Sequence, residues 1–107
     1  MSLREELLAC PLKTKTVEVD GKQITVRELT AAERETFLVE TGKAVKNGHA
    51  WKDLTVYCIQ HCVLDENEQP CFEKKDWAEI RQMPARITEK LATEILKFSE
   101  LIPEDTE

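Results

Sequence analysis

The sequence lacks the features that would place it in a membrane or mark it for secretion. No apolar run approaches the roughly 18 residues that a membrane-spanning helix needs. The first eleven residues intersperse Arg4, Glu5 and Glu6 among leucines, unlike the apolar core of a secretory signal. Because charged residues make up 34% of the chain, we predict a cytoplasmic protein with no membrane contact.

Clusters of basic residues are also missing. The net charge is -6, and all of the acidic excess falls in the second half of the chain. Lys74 and Lys75 form a basic pair, but Glu73 and Asp76 flank it. Contacts with phosphates require grouped lysines and arginines that release counterions, so binding to nucleic acid is disfavoured.

The chain contains no Cys-x-x-Cys pair of the kind that builds structural zinc sites. Cys58, His61, Cys62 and Cys71 are residues that zinc binds, but two of these cysteines lie in an apolar helical stripe. Cysteines four apart on a helix are also too distant for an easy disulfide. We predict buried, inert thiols, with no metal site and no cofactor.

A catalytic site is not indicated either. A cysteine nucleophile with His61 or His49 as its base would also need an oxyanion loop and a third group that orients the imidazole. The sequence has only three glycines, none in a glycine-rich turn beside a nucleophile. We therefore predict a protein that is not an enzyme.

The strongest local pattern is a β-hairpin. Val17 and Val19 alternate with a polar residue, as do Ile24 and Val26, and Asp-Gly lies between the two runs. A two-residue loop would pair Val17 with Ile24, and a four-residue loop would pair Val19 with Ile24. Both registers place the four apolar residues on one face of a hairpin over residues 16–27.

A helix start follows the hairpin directly. Thr30 and Glu33 form a capping box, in which each side chain accepts a backbone amide of the other residue. A helix over 31–41 is predicted, with Phe37, Leu38 and Val39 as its apolar end and Gly42 as a left-handed cap. We expect this helix or a later one to cover the hairpin, which would be marginal alone.

The rest of the chain predicts further helices. Residues 51–64 are apolar on nearly all sides, which favours a buried central helix over an unusually long strand. Asp76 is the predicted cap of a short helix over 76–82. The last helix, over 85–101, carries apolar residues at helical spacing: Ile87, Leu91, Ile95, Phe98 and Ile102. A short N-terminal helix ended by Pro11 would place Leu3, Leu7 and Leu8 on one side.

Together these patterns predict an α+β fold that is mainly α, with an N-terminal β-hairpin followed by a bundle of three to four helices. We expect one domain over 1–102 and a disordered acidic tail over 103–107. Residues 43–50 are predicted to form a turn or mobile loop, and residues 65–70 a polar turn. From exposure and loop position, six residues are candidates for partner binding: Lys43, Lys46, Asn47, Trp51, Trp77 and Phe98.

Over residues 16–101 the sequence resembles the tail assembly chaperones of long-tailed bacteriophages. The resemblance rests on the hairpin with its Asp-Gly-Lys turn, the capped helix start, and the central helix that runs into an acidic turn. At Asn67 and Glu68 this sequence departs from the family, in which such turns often contain glycine. The matching residues are Val17, Val19, Asp20, Gly21, Lys22, Val26, Arg27, Glu28, Leu29, Thr30, Ala31, Ala32 and Glu33.

The resemblance implies a function in phage morphogenesis. It implies a non-enzymatic chaperone that binds the tape measure protein, helps to recruit the major tail protein and associates with itself. Such a protein would act in the cytoplasm of the bacterial host and be absent from the mature virion. The alternative is a small regulatory or toxin-neutralising protein that binds one globular partner.

Overall fold

The structure of the chain is a computed structural model that describes residues 2–101. The predicted acidic tail over 103–107, and Ile102, lie outside the described residues. The predicted α+β fold with an N-terminal hairpin and a mainly helical remainder is confirmed. In chain order the elements are α1 (Leu3–Leu8), β1 (Thr14–Val19), β2 (Lys22–Arg27), α2 (Ala31–Lys46), α3 (Leu54–Cys62), β3 (Val63–Leu64), a 3₁₀ turn (Lys74–Asp76), α4 (Trp77–Arg81) and α5 (Ala85–Phe98).

The hairpin has the tighter of the two predicted registers. Val17 pairs with Ile24, and the loop consists of Asp20 and Gly21 alone. Both loop residues have positive φ, 52° and 78°, as a type I′ turn requires. Val17 and Val19 are buried on the inner face and Ile24 is half-buried there, so the predicted apolar face is present.

The sheet has a third strand that the sequence analysis did not predict. The final two residues of the predicted helix 51–64 are extended instead, and they form β3, which pairs antiparallel with β2. The strand order is β1-β2-β3. The turn after β3 is polar as predicted, and Glu68 adopts a positive φ of 60° there, a conformation that glycine adopts more readily.

Helix α2 begins as predicted but ends later. The Thr30 hydroxyl accepts the Glu33 amide at 3.1 Å, and the Glu33 carboxylate accepts the Thr30 amide at 3.0 Å. Gly42 is not a cap, because the helix continues through it to Lys46. The left-handed residue is Gly48, with a φ of 83°. The loop predicted over 43–50 is therefore helical in its first half.

The later helices are shorter than predicted. Helix α3 begins at Leu54 rather than at residue 51. The Asp76 carboxylate caps the 3₁₀ turn, accepting the Glu73 amide at 2.8 Å, and does not cap α4. Helix α5 ends at Phe98 rather than at residue 101, because Glu100 turns left-handed with a φ of 61°.

The core lies between the inner face of the sheet and the two helices α3 and α5. Helix α5 crosses the hairpin and also packs on α3, so the later helix, rather than α2, covers the apolar face of the hairpin. Helix α3 is buried as its apolar pattern predicted. The most completely buried large side chains are Ile59, Ile80, Leu91, Ile95, Val26, Cys58 and Cys62.

Candidate partner-binding surfaces

The thiols of α3 are closed to solvent. Cys58 and Cys62 are free and have 0% exposure. Burial raises the pKa of the Cys58 thiol to about 12 and also raises the pKa of the Cys62 thiol. Buried thiols with raised pKa values are poor nucleophiles.

The four candidate zinc ligands do not come together. Cys71 is exposed, whereas Cys58 and Cys62 lie in the core. His61 is turned toward a carboxylate, with its Nδ1 atom 3.1 Å from Glu33 Oε2. Within the described part of the chain, no three His, Cys, Asp or Glu side chains are placed to hold a metal ion.

Glu33 is the centre of an ion-pair network that ties three elements together. Arg27 on β2 donates from both terminal nitrogens to the two carboxylate oxygens, each at 2.9 Å. His61 on α3 approaches the same carboxylate, which also accepts the Thr30 amide. The sequence analysis assigned Glu33 to the cap alone, since its other partners are distant in the chain or on another element.

The environment of Glu33 keeps its carboxylate ionised. Burial by itself raises the pKa of this carboxyl, but hydrogen bonds from His61, Arg27 and the Thr30 amide outweigh burial and hold the pKa well below its usual value. The bond to Glu33 correspondingly raises the pKa of Arg27. The network therefore fixes the start of α2 against β2 and α3.

Three of the six predicted partner-binding residues lie together. Lys43, Asn47 and Trp51 line a shallow surface cavity of about 280 Å³ at the C-terminal end of α2. Lys46 is exposed in the last turn of the same helix. The Trp51 ring is half-buried and packs edge-on against Phe37, with 6.1 Å between ring centroids. This group remains a predicted binding surface.

The other two predicted residues do not line this cavity. Trp77 is half-buried, and its indole nitrogen donates to the Gln60 side chain at 3.0 Å, while Lys74 Nζ lies 5.4 Å from the ring centroid. Phe98 is half-buried beneath Lys15, whose Nζ is 5.4 Å from that ring centroid. Both aromatic rings are thus already packed within the chain.

Helix α2 exposes apolar side chains, including two that the sequence analysis placed at its apolar end. Phe37 is buried, but Leu38 and Val39 are each 51% exposed. Val45 is 65% exposed and lies two turns after Leu38, on the same side of the helix. We call Leu38, Val39 and Val45 the α2 strip.

Helix α1 exposes the leucines that were predicted to share one side. Leu3, Leu7 and Leu8 are 70%, 63% and 70% exposed, and no residue of α1 is buried. The helix start is capped, since the Ser2 hydroxyl accepts the Glu5 amide at 3.1 Å. The six-residue helix is therefore formed locally, and its leucines lie in solvent.

A third surface is a groove between β2, β3 and the start of α5, which we call the β2–β3 groove. Its volume is about 550 Å³ and its lining is mostly apolar. Three charged residues, Lys22, Asp65 and Glu66, also line it. The apolar lining includes Ile24, Leu64, Phe72, Met83, Ile87 and Leu91.

Comparisons with known proteins assign a fold to the chain. No protein-family model and no curated protein sequence matches it. Among solved structures, the bacteriophage HK97 tail assembly chaperone is similar, with a TM-score of 0.65 at 19% sequence identity. The likeness covers 91% of this chain and 98% of that chain. This chain therefore has the fold of the bacteriophage HK97 tail assembly chaperone, the fold that its hairpin and capped helix already suggested.

Proposed function

We propose that this chain is a phage tail assembly chaperone that binds the tape measure protein and helps to recruit the major tail protein. The observation that carries the proposal is the structural likeness to the HK97 chaperone, which extends over nearly the whole of both chains. It involves the same hairpin and capped helix on which the sequence resemblance rests.

The uncovered surface of α2 supports a role in binding a helical client. A long helical protein that is not yet assembled exposes apolar side chains, and these need a complementary apolar surface. The α2 strip offers one, with Lys43 and Lys46 beside it to meet acidic groups of the client. Trp51, which follows α2 in the chain, supplies an aromatic side chain of the kind that dominates binding energy at interfaces.

The remaining features agree with a protein that binds rather than catalyses. The two buried thiols have raised pKa values, and the strongly perturbed carboxylate of Glu33 is held by structural partners. No helix among the described residues could span a membrane. We propose that the chaperone acts in the cytoplasm of the bacterial host, associates with itself, and is absent from the finished virion.

Co-expression with a phage tape measure protein tests this function. The wild-type chain should keep the tape measure protein in the soluble fraction, with many copies of the chain bound per client. Leu38→Glu combined with Val45→Glu should lower the affinity for the client at least about tenfold, since each removes about 1 kcal/mol of apolar burial.

The matched control is Ala78→Glu combined with Gln82→Glu, which adds the same two charges at exposed positions in and directly after α4 and should leave the binding unchanged. A tape measure protein that precipitates regardless of the chain would refute the proposal. A one-to-one complex with a single globular partner would instead favour a regulatory or toxin-neutralising protein.

A further inference from the structure

Helix α1 is a short helix whose apolar side is exposed to solvent. Helices this short are marginal in water unless an apolar face is packed against something. The capping box of Ser2 and Glu5 nevertheless holds α1 in a helical state, and three leucines on it are 63–70% exposed. A preformed helix with an exposed apolar side loses little conformational entropy when it docks.

The β2–β3 groove has the size and chemistry to receive such a helix. Truncating one leucine in a protein core leaves a cavity of roughly 150 Å³, so a groove of about 550 Å³ accommodates two to three leucine side chains. Its apolar lining comes from the sheet, from Phe72 and from the start of α5. Helix-in-groove docking is a common mode of recognition for amphipathic helices.

The charges of the two surfaces are complementary. At 100° per residue, Arg4 lies between Leu3 and Leu8 on the wheel of α1, whereas Glu5 and Glu6 lie outside this arc, one beyond each end. The leucine side of α1 therefore carries a positive charge in its middle. The groove carries two acidic residues, Asp65 and Glu66, against the single base Lys22. We propose that α1 of one copy docks into the β2–β3 groove of a second copy of this chain.

This contact joins two different surfaces, so it is heterologous. Each docked copy leaves its own groove free to receive another α1, and the contact continues from copy to copy into a ring or an open filament. The inference rests on the proposed function in one respect, because it assigns the surfaces through which the chaperone would self-associate. It leaves the α2 strip free for a client.

The cysteines provide a direct test, because one exposed thiol lies at each of the two surfaces. Cys10 follows α1 and is exposed, and Cys71 is exposed and lines the groove. The other two thiols are buried and serve as unreactive controls. Treating the pure full-length protein with a short bis-maleimide, which links two thiols without oxidation, should give a ladder of covalent dimers, trimers and larger species.

Substituting each exposed cysteine in turn identifies which two thiols the reagent joins. Cys10→Ser or Cys71→Ser alone should abolish the ladder, whereas a mixture of the two variants should give covalent dimers and nothing larger. Covalent dimers that persist in either single variant would mean a symmetric contact and would overturn the inference. A cross-linked monomer of faster mobility would also overturn it, because α1 would then occupy the groove of its own chain.

A charge exchange tests the same contact without cross-linking. Arg4→Glu and Glu66→Lys should each weaken self-association about tenfold or more in sedimentation or light scattering, and the two together should restore most of it. Both residues are exposed, so the fold should be unaffected, as circular dichroism would check. Weakening without restoration, or a protein that is monomeric at every concentration, would overturn the inference. Client solubility is measured separately in the co-expression experiment, so failure of the proposed function can be distinguished from failure of this inference.

Discussion

At the scale of single residues, Glu33 connects the most elements. It lies at the start of α2, accepts two hydrogen bonds from Arg27 on β2, and meets His61 on α3. Its side chain is 15% exposed, so the ion pair is partly shielded from water. Such pairs are costly to break, because the partner that remains is left without its counter-charge.

Replacing this carboxylate should therefore destabilise the protein. We expect Glu33→Gln to lower the free energy of unfolding by about 2 kcal/mol at neutral pH, the magnitude of hydrogen bonds to charged groups. Urea denaturation measures the change. The matched control is Glu35→Gln, an exposed residue of the same helix turn, which should have almost no effect.

The effect of Glu33→Gln should also depend on pH. The folded state holds the pKa of Glu33 below its ordinary value of 4.5, so the folded protein binds fewer protons at this site than the unfolded chain. The stabilisation is present above that value and is lost as the pH falls below it toward the folded pKa. The difference between wild type and variant should thus shrink in acid. A difference that stays constant with pH would contradict this assignment.

At the scale of elements, the end of α2 shows how a helix passes one glycine and ends at another. Gly42 lies inside the helix, while Gly48 follows the C-cap residue Asn47 and takes a positive φ. The amide of His49 then donates to the carbonyl of Ala44 at 3.0 Å, the bond that defines a Schellman cap. Only the second glycine is therefore required by the backbone.

The two glycines should respond in opposite ways to the same substitution. Gly42→Ala should raise the free energy of unfolding by about 0.5–1 kcal/mol, since alanine favours the helix interior. Gly48→Ala should lower it by about 1 kcal/mol, because a side chain disfavours the left-handed conformation. An added Cβ meets no neighbour at either position, so only backbone conformation differs. Thermal melts of both variants measure this, and destabilisation by Gly42→Ala would contradict the helix end described here.

At the scale of the whole molecule, one core joins the sheet to α3 and α5, while α1 and the outer side of α2 keep apolar side chains in solvent. Burial of the α3 thiols is a property of this core as a whole. Cys58 and Cys62 become accessible only when the helices separate from the sheet, whereas Cys10 and Cys71 are accessible in the folded protein.

Thiol labelling should therefore separate the four cysteines into two classes. With Ellman's reagent at mildly alkaline pH, we expect two thiols to react rapidly and two to react only at the rate of unfolding. Mass spectrometry of the early product should find the label on Cys10 and Cys71. Rapid labelling of Cys58 or Cys62 would mean that the core opens locally around α3.

Signals that lie close together in the chain were readable from the sequence. The Asp-Gly turn between alternating valines determined the hairpin, and Thr30 with Glu33 determined where α2 begins. The apolar period of α5 determined its inward face. Each of these depends on backbone geometry and on neighbours within a few residues, so the sequence alone was enough to predict the α+β fold.

Other features were decided by residues far apart in the chain. Val63 and Leu64 are equally compatible with helix and strand, and pairing with β2 made them a strand. Leu38 and Val39 look like core residues, yet no element within residues 2–101 covers them. The candidate surfaces are therefore properties of the tertiary structure, because burial and charge pairing depend on which distant segments the fold brings together.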